Sequence, residues 1–358
     1  MDFEIRPFDP NTADRADWAR YHALRKERHQ ETEPQDPVPS DHSVEVRMKH
    51  PDSISDYFRF AGVSLDSPHP FVGFLEVDMF KKGTPSWDLN PKDVFFYIQV
   101  LRDRRREGIG SHLLAEVARV AGERDRSMLT TFAEEDSGLA FLSAVPLKIT
   151  QDRRENRLYM ERVDWAMVKD WNREGPERSP TSTLRLFTGR MDDSIVEEFA
   201  RAFTEVFNQQ PFGATEFHGI VFTPQSIREH EKRTEDSGGA QWTYLTQEPD
   251  GRISGLTEMS YHPDEPTIMR QGMTGVRESF RGRGLGKWLK ASMLLKLRDE
   301  RPGVQVLTTG NASSNAAMLS INERLGFRTH RTSVLAQAPL ETVVAYLRAR
   351  GLTAGAKV

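Results

Sequence analysis

One pattern occurs twice in this chain and limits its fold more than any bulk property. An apolar, β-prone run leads into a basic glycine loop, then an amphipathic helix, then a second short apolar run. The first copy reads DVFFYIQVLRDRRREGIGSHLLAEVARVAGERDRSMLTTF and the second TIMRQGMTGVRESFRGRGLGKWLKASMLLKLRDERPGVQVLTTG. Residues 93–101 and 267–276 read as strands. Ile109, Leu113, Leu114, Val117 and Val120, and again Leu285, Leu289, Met293, Leu294 and Leu297, recur at helical spacing. Residues 128–132 and 304–309 read as the returning strands. Arg105 and Arg281 stand 176 positions apart (281 − 105), about one domain length, so duplication is the simplest account.

The flanks repeat more coarsely. Each half opens with a strand (3–7; 184–189), a helix (13–28; 194–207) and a hairpin (57–63 with 71–80; 241–246 with 253–261), the second hairpin turning at EPDG, whose Asp-Gly tolerates positive φ. The polar, proline-bearing stretch before the second copy reads as a linker. These signals divide the chain into a diverged first domain (1–170), a linker (171–183), a second domain (184–340) and a tail (341–358). The acidic, proline-bearing stretch 30–52 reads as a surface loop, with a mobile loop at a substrate mouth as the alternative. The fold class expected is mixed α/β: two tandem units, each a mixed β-sheet flanked by helices.

Composition narrows the function. The 358 residues include no cysteine, which removes disulfides, thiolate nucleophiles and thiolate metal sites. A net charge of −4 argues against a nucleic-acid surface, no apolar run approaches the length of a membrane span, and the acidic N-terminus lacks a secretion signal, so a cytoplasmic location is expected. The ten histidines lack metal-ligand spacing, and no metal is expected. Oligomeric state is open.

The glycine loops carry the chemistry. In R-G-R-G-L-G, Arg281 to Gly286, glycines let the chain leave a strand, approach a ligand and turn into a helix whose first N–H groups and dipole form an anion site. A nucleotide-binding P-loop would need a hydroxyl where Trp288 stands, and a dinucleotide fingerprint needs G-x-G-x-x-G, whereas these glycines fall at 282, 284 and 286.

The pattern that remains, [QR]-x-x-G-x-[GA], filled by Arg281, Gly284 and Gly286 and again by Arg105, Gly108 and Gly110, resembles the GNAT acetyltransferase superfamily. The likeness covers nearly all of the second half, through Asn311, Asn315, Met318 and NERLGF at 322–327, and the centre of the first, and is nearest to bacterial tandem GNAT proteins. It implies acetyl-CoA as cofactor. Its pyrophosphate would lie on Arg281, Gly282, Arg283, Gly284, Leu285, Gly286 and Lys287, its pantetheine along Thr274, Gly275 and Val276, with Asn311 and Asn315 as further cofactor-binding residues. Arg105, Arg106, Gly108, Ile109, Gly110 and Ser111 would form the matching loop of the first half.

Two departures bear on activity. Family members often place a tyrosine general acid where Asn322 stands, and an amide is a poor acid. The first copy has LSAVPL (142–147) in place of the closing segment and Ala133 to Asp136 in place of the asparagine turn. An amine acceptor must lose a proton before attacking a thioester. Glu258, on the hairpin strand expected to face the acceptor, is the candidate base, with Tyr261 and His262 nearby. Gln271 and Thr274 can face the same side of their strand only across a bulge. The expectation is an N-acetyltransferase acting on a small-molecule amine through its second half. A protein or peptide acetyltransferase and a non-catalytic CoA-binding sensor or scaffold are the alternatives.

Overall fold

The computed structural model describes residues 2–352. The first half runs β1 (Phe3–Pro7), α1 (Arg15–Thr32), α2 (Asp41–Lys49), β2 (Ser55–Ser64), β3 (Phe71–Phe80), α3 (Pro85–Leu89), β4 (Asp93–Val100), α4 (Ile109–Gly122), β5 (Met128–Ala133), α5 (Asp136–Ala144), β6 (Lys148–Tyr159) and α6 (Trp165–Arg178). The second runs β7 (Thr183–Thr188), α7 (Val196–Asn208), α8 (Pro224–Asp236), β8 (Ala240–Gln247), β9 (Ile253–Tyr261), β10 (Ile268–Val276), α9 (Leu285–Glu300), β11 (Val306–Ala312), α10 (Ala316–Leu325), β12 (Arg328–Pro339) and α11 (Leu340–Arg348). Both strand–loop–helix–strand units and both hairpins stand where the periodicities place them, with ends shifted by a few residues.

All twelve strands form one sheet in the order β1-β2-β3-β4-β5-β12-β6-β11-β10-β9-β8-β7. The centre of that order departs from a simple tandem arrangement, because the halves exchange their last strands. β6 pairs antiparallel with β11 of the second half, and β12 pairs with β5 of the first and with β6. The helices follow their strands across. α6 lies on α9, and Val343 and Leu347 of α11 join the first half's core beside Val117, Val120 and Ala121 of α4. Two expectations are corrected here. Residues 171–178 are not linker but the end of α6, where Trp171 is buried and Gly175 sits so close to Trp288 that a Cβ would fall 2.2 Å from the indole. Residues 341–348 of the expected tail belong to α11, and residues 353–358 lie outside the described part.

The 30–52 stretch is likewise more than a loop, since it holds the end of α1 and all of α2. Asp36 within it makes a buried two-pronged ion pair with Arg157 of β6, at 2.6 and 2.8 Å, which fixes this segment to the exchanged strand. α2 also reaches the other half. Ser40 N and Ser43 Oγ donate to Asp264 in the β9–β10 turn at 2.7 and 2.8 Å, closing the first half over the second half's hairpin.

The sheet is covered on both faces in each half. In the second half, Trp242, Met259 and Met269 pack against α9 and α6, while Leu245, Ile253 and Leu256 pack against α7 and α8. Among the described residues no helix is long and apolar enough to cross a membrane.

Candidate active site

The site of the second half begins where β10 parts from β11. These parallel strands pair only through Ile268–Val306, Met269–Leu307 and Arg270–Thr308, then separate. Past that point the edges of Thr274, Gly275 and Val276 that face β11 have no ladder partner, so backbone donors and acceptors line an open slot. A bulge marks its apex. Gly272 and Met273 together stand opposite Glu258, between the pairs Gln271–Met259 and Thr274–Thr257. The bulge brings Gln271 and Thr274 to one side, where Gln271 Nε2 reaches Thr274 Oγ1 and Thr257 Oγ1, both at 3.0 Å. Gly275 is needed for a different reason, since Val206 of α7 fills the space a Cβ would take.

At the far end of the slot lies the glycine loop. Gly282 and Gly284 both have φ +81°, a conformation that strains any other residue, and Gly284 is the residue from which α9 starts. Leu285 and Trp288 are buried and anchor this first turn. The N–H groups of Leu285 and Gly286 precede the first intrahelical donor, Lys287 N, which bonds Gly284 O, so they and the helix dipole face any anion placed there.

Four cations surround that point. Arg281 is exposed and leans on Gln209. Lys287 and Arg324 lie over the Trp171 ring at 5.4 and 5.0 Å, and Arg178 of α6 passes Gly284, its Cδ 3.4 Å from where a Cβ would stand. Burial, then the charges of Arg324 and Arg178, hold the Lys287 ammonium below the usual lysine range, a repulsion that a polyanion would relieve. Arg324 and Arg178 escaped the sequence reading because only the fold brings α6 and α10 to this loop. Arg283 was expected against the pyrophosphate; instead it turns away to Glu248 at 3.1 Å and Ser182 at 2.7 Å.

Asn311 ends β11 and accepts from Asn322 Nδ2 at 3.0 Å. Asn322 is buried, and its Oδ1 has no hydrogen-bond partner. Asn315 caps α10 by accepting from Met318 N at 3.3 Å, so its side chain serves the helix. His262 serves a turn, bonded to Ser237 O at 2.6 Å.

Glu258 sits across from the bulge, on the face covered by α8. Its Oε1 accepts from Gln241 Nε2 at 2.7 Å, and Gln241 Oε1 in turn is 2.7 Å from His230 Nε2. No cation pairs with it among the described residues. Burial pushes its carboxyl up to about 8, reinforced by Glu231 and only partly offset by the bonds from Gln241 and Thr243. A carboxyl that titrates near neutrality is suited to take up a proton at ordinary pH.

The first half has the same framework with every opening filled. Gly73 pairs with Val100 as Gly255 pairs with Val276, and counting from those pairs makes Glu76 the counterpart of Glu258 and Tyr97 that of the bulge. β5 and β11 pair likewise with the equivalent strands β12 and β6, which sets Phe132 opposite Leu335 where Gly310 stands opposite Glu155. Tyr97 and Phe132 stack across the splay with centroids 4.7 Å apart and rings 3° from parallel. In the second half those places belong to the Gly272–Met273 bulge and to Gly310, and nothing lies within 4 Å of a Cβ built on Gly310.

The electrostatics are closed as well. Glu76 is ion-paired with Arg59 at 2.6 Å. Arg105 lies 2.8 Å from Glu31 and 3.5 Å from Glu135, so carboxylates occupy the reach of the loop arginine. Burial alone would raise the Glu31 carboxyl, but Arg105, Arg102 and Arg28 hold it below the usual range. Gly108 keeps φ +89°, yet Arg106 takes φ +71° where the other loop has glycine, a strain of about 1–3 kcal/mol. Ile109 is core, Ser111 N is bonded back to Gly108 O, and Phe141 stands 3.3 Å from a Cβ placed on Gly110. The first loop has kept its shape while its approach has been blocked.

Two glycine loops at helix N-termini, each beside a pair of splayed parallel strands, define the fold: the chain has a tandem GNAT-type fold. No family model matches it. A mycothiol acetyltransferase of Salinispora arenicola (strain CNS-205) is 29% identical over 229 residues, which are 62% of this chain and 66% of that protein, just under two thirds of its length. A solved tandem GNAT protein from the clavulanic acid biosynthesis pathway superposes with a TM-score of 0.75 at 21% identity, over 94% of this chain and 98% of its own. A GNAT acetyltransferase from Sphaerobacter thermophilus superposes at 0.63 and 16% identity, over 95% and 96% of the two chains.

Proposed function

We propose that the second half transfers an acetyl group from acetyl-CoA to the amine of a small molecule. The observation that carries this reading is the contrast between halves: one slot is glycine-lined, cationic at its far end and faced by an uncompensated carboxyl, while its twin is plugged. The residues fit the cofactor. The amides of Leu285 and Gly286 with Arg281, Lys287, Arg178 and Arg324 suit a pyrophosphate, and the free edge of Thr274 to Val276 suits the amides of a pantetheine arm. Acetyl-CoA brings a thioester whose carbonyl carbon bonds to the amine nitrogen as the C–S bond breaks.

The chain's own part is positioning and proton transfer. An ammonium has no lone pair, and Glu258, ionised above about 8, takes the proton that frees it, directly or through one water. Asn322 supplies no useful acid and instead holds Asn311 in place, so the departing thiolate draws its proton from water. The closure of α2 over the β9–β10 turn, through Ser40, Ser43 and Asp264, favours a small acceptor, since it takes up room beside β9 and β10 that a protein substrate would need.

The test is thiol release from acetyl-CoA against a panel of small amines and lysine peptides. Amine-dependent release is expected, with small amines the better substrates. Release that never exceeds background hydrolysis would sink the proposal, and a preference for peptides would overturn its substrate class.

A further inference from the structure

A second cavity lies away from the glycine loop and Glu258 and shares no residue with them. It occupies about 360 Å³ on the α1-side face of the first half's sheet, where Tyr57, Asp78 and Phe95 are direct neighbours across β2, β3 and β4. Its roof comes from the other half, as Phe217, Ile220 and Phe222 of the α7–α8 connection. That roof is fixed in place. His218 N donates to Asn90 Oδ1 and Asn90 Nδ2 to Gly219 O, both at 2.8 Å, and Val221 N donates to Ser86 Oγ at 3.0 Å. Phe217 meets Phe95 edge-on at 5.9 Å and lies nearly parallel to Phe80 at 6.4 Å.

Within this aromatic lining stands a carboxylate with nothing to balance it. The Asp78 side chain has neither hydrogen-bond nor ion-pair partner among the described residues, and its nearest charges are mostly of its own sign. Asp52, also on the wall, accepts from Ile54 N, Ser55 N and the Tyr57 hydroxyl at its carboxylate, which Arg233 approaches at 3.9 Å, while Lys81 Nζ donates to its backbone carbonyl. Apolar pockets rarely tolerate an unpaired carboxylate unless a ligand completes it. Ring faces and a carboxylate together select one chemistry, because both attract a positive charge and the rings also favour an apolar body.

We infer that this pocket binds a hydrophobic organic ammonium ion, its charged nitrogen against Asp78 and its apolar part between Phe80, Phe95 and Phe217. A metal ion does not fit, as no group of three or more His, Asp or Glu side chains that could hold one occurs among the described residues. A neutral aromatic molecule would leave Asp78 as costly as before. Binding tracks the charge of Asp78. Burial, then Glu76 and Asp52, push that carboxyl up to about 7, while Arg59, already engaged by Glu76, draws it down only partly. The other titratable groups around the pocket are Tyr57, pushed well above its usual range by burial, Arg233, and Lys81, whose ammonium is held by Asp52 O and lies 3.8 Å from Asp56; Glu216 and His218 on the roof segment are exposed to solvent. A cation therefore gains as pH rises through 7 and Asp78 ionises.

The test is calorimetric titration of the full chain, without any acyl donor, by 2-phenylethylammonium and by 3-phenylpropan-1-ol, an uncharged molecule of similar shape. The amine should bind at least about tenfold more tightly than the alcohol at pH 8, and more tightly at pH 8 than at pH 6. Asp78→Asn should remove that preference and its pH dependence, and Phe217→Ala should weaken the amine. Equal binding of amine and alcohol to the unaltered chain, or an amine affinity that Asp78→Asn leaves untouched, would overturn the inference, as would absence of amine binding. Because no acyl donor is present, failure here and failure of the acetyl-transfer reading are independent results.

Discussion

Gly310→Phe should sharply weaken acetyl-CoA binding while leaving the protein folded. The side chain meets no atom within 4 Å at its Cβ, and Phe132 already occupies the matching place in the first half, so the backbone accepts it. Once there, the ring lies in the slot between β10 and β11 that the pantetheine arm needs. An arm that has lost its strand-like seat keeps only the pyrophosphate contacts, and a loss on the order of 100-fold or more in affinity, about 2.7 kcal/mol, is the expected size. Calorimetric titration of the variant reads this directly. An unchanged Kd would mean that the cofactor does not enter between the splayed strands.

Glu258→Gln should cost roughly 10²- to 10⁴-fold in turnover, the usual contribution of a positioned base, with little change in acetyl-CoA affinity. The pH profile separates proton transfer from mere packing. The carboxyl titrates near 8, so the free-base fraction falls about tenfold for each pH unit below that value; activity of the unaltered protein should climb through neutral pH and level off above about 8. In the variant that inflection should vanish. A variant that keeps both full turnover and the inflection would assign the base elsewhere, with Tyr261 the next group to examine.

What the sequence made legible follows from how local each signal is. The loops at 105–110 and 281–286, their strands and their helices are written in runs of adjacent residues, and β9 was expected and found over Ile253–Tyr261. Helices with little apolar periodicity were not legible. α8 buries only Ile227, and α2 only Val44 among its apolar residues, so neither shows a stripe to read. α6 was hidden by Pro176 within its last turn and by polar composition; its burial of Trp171 and Gly175 depends on α9, which lies over a hundred residues away.

The exchange of β6 and β12 leaves no local mark, because either strand satisfies the same alternation in either half. For the same reason the closing of the first site by Glu31 and Glu135 around Arg105 could not be seen, as those carboxylates reach the loop only through the fold. One signal was available and went unused. Aligning the two copies by strand register sets Tyr97 and Phe132 against the glycines of the second slot, and bulky rings at an apex that must admit a chain mark a plug.

The central claim is that duplication left two loops but one working site. Titrating the full chain with acetyl-CoA and counting bound molecules tests it most directly, with Gly108→Val and Gly284→Val as the paired controls. One molecule per chain is expected, lost in Gly284→Val and retained in Gly108→Val. Two molecules per chain, or one that disappears only when Gly108 is replaced, would contradict the account.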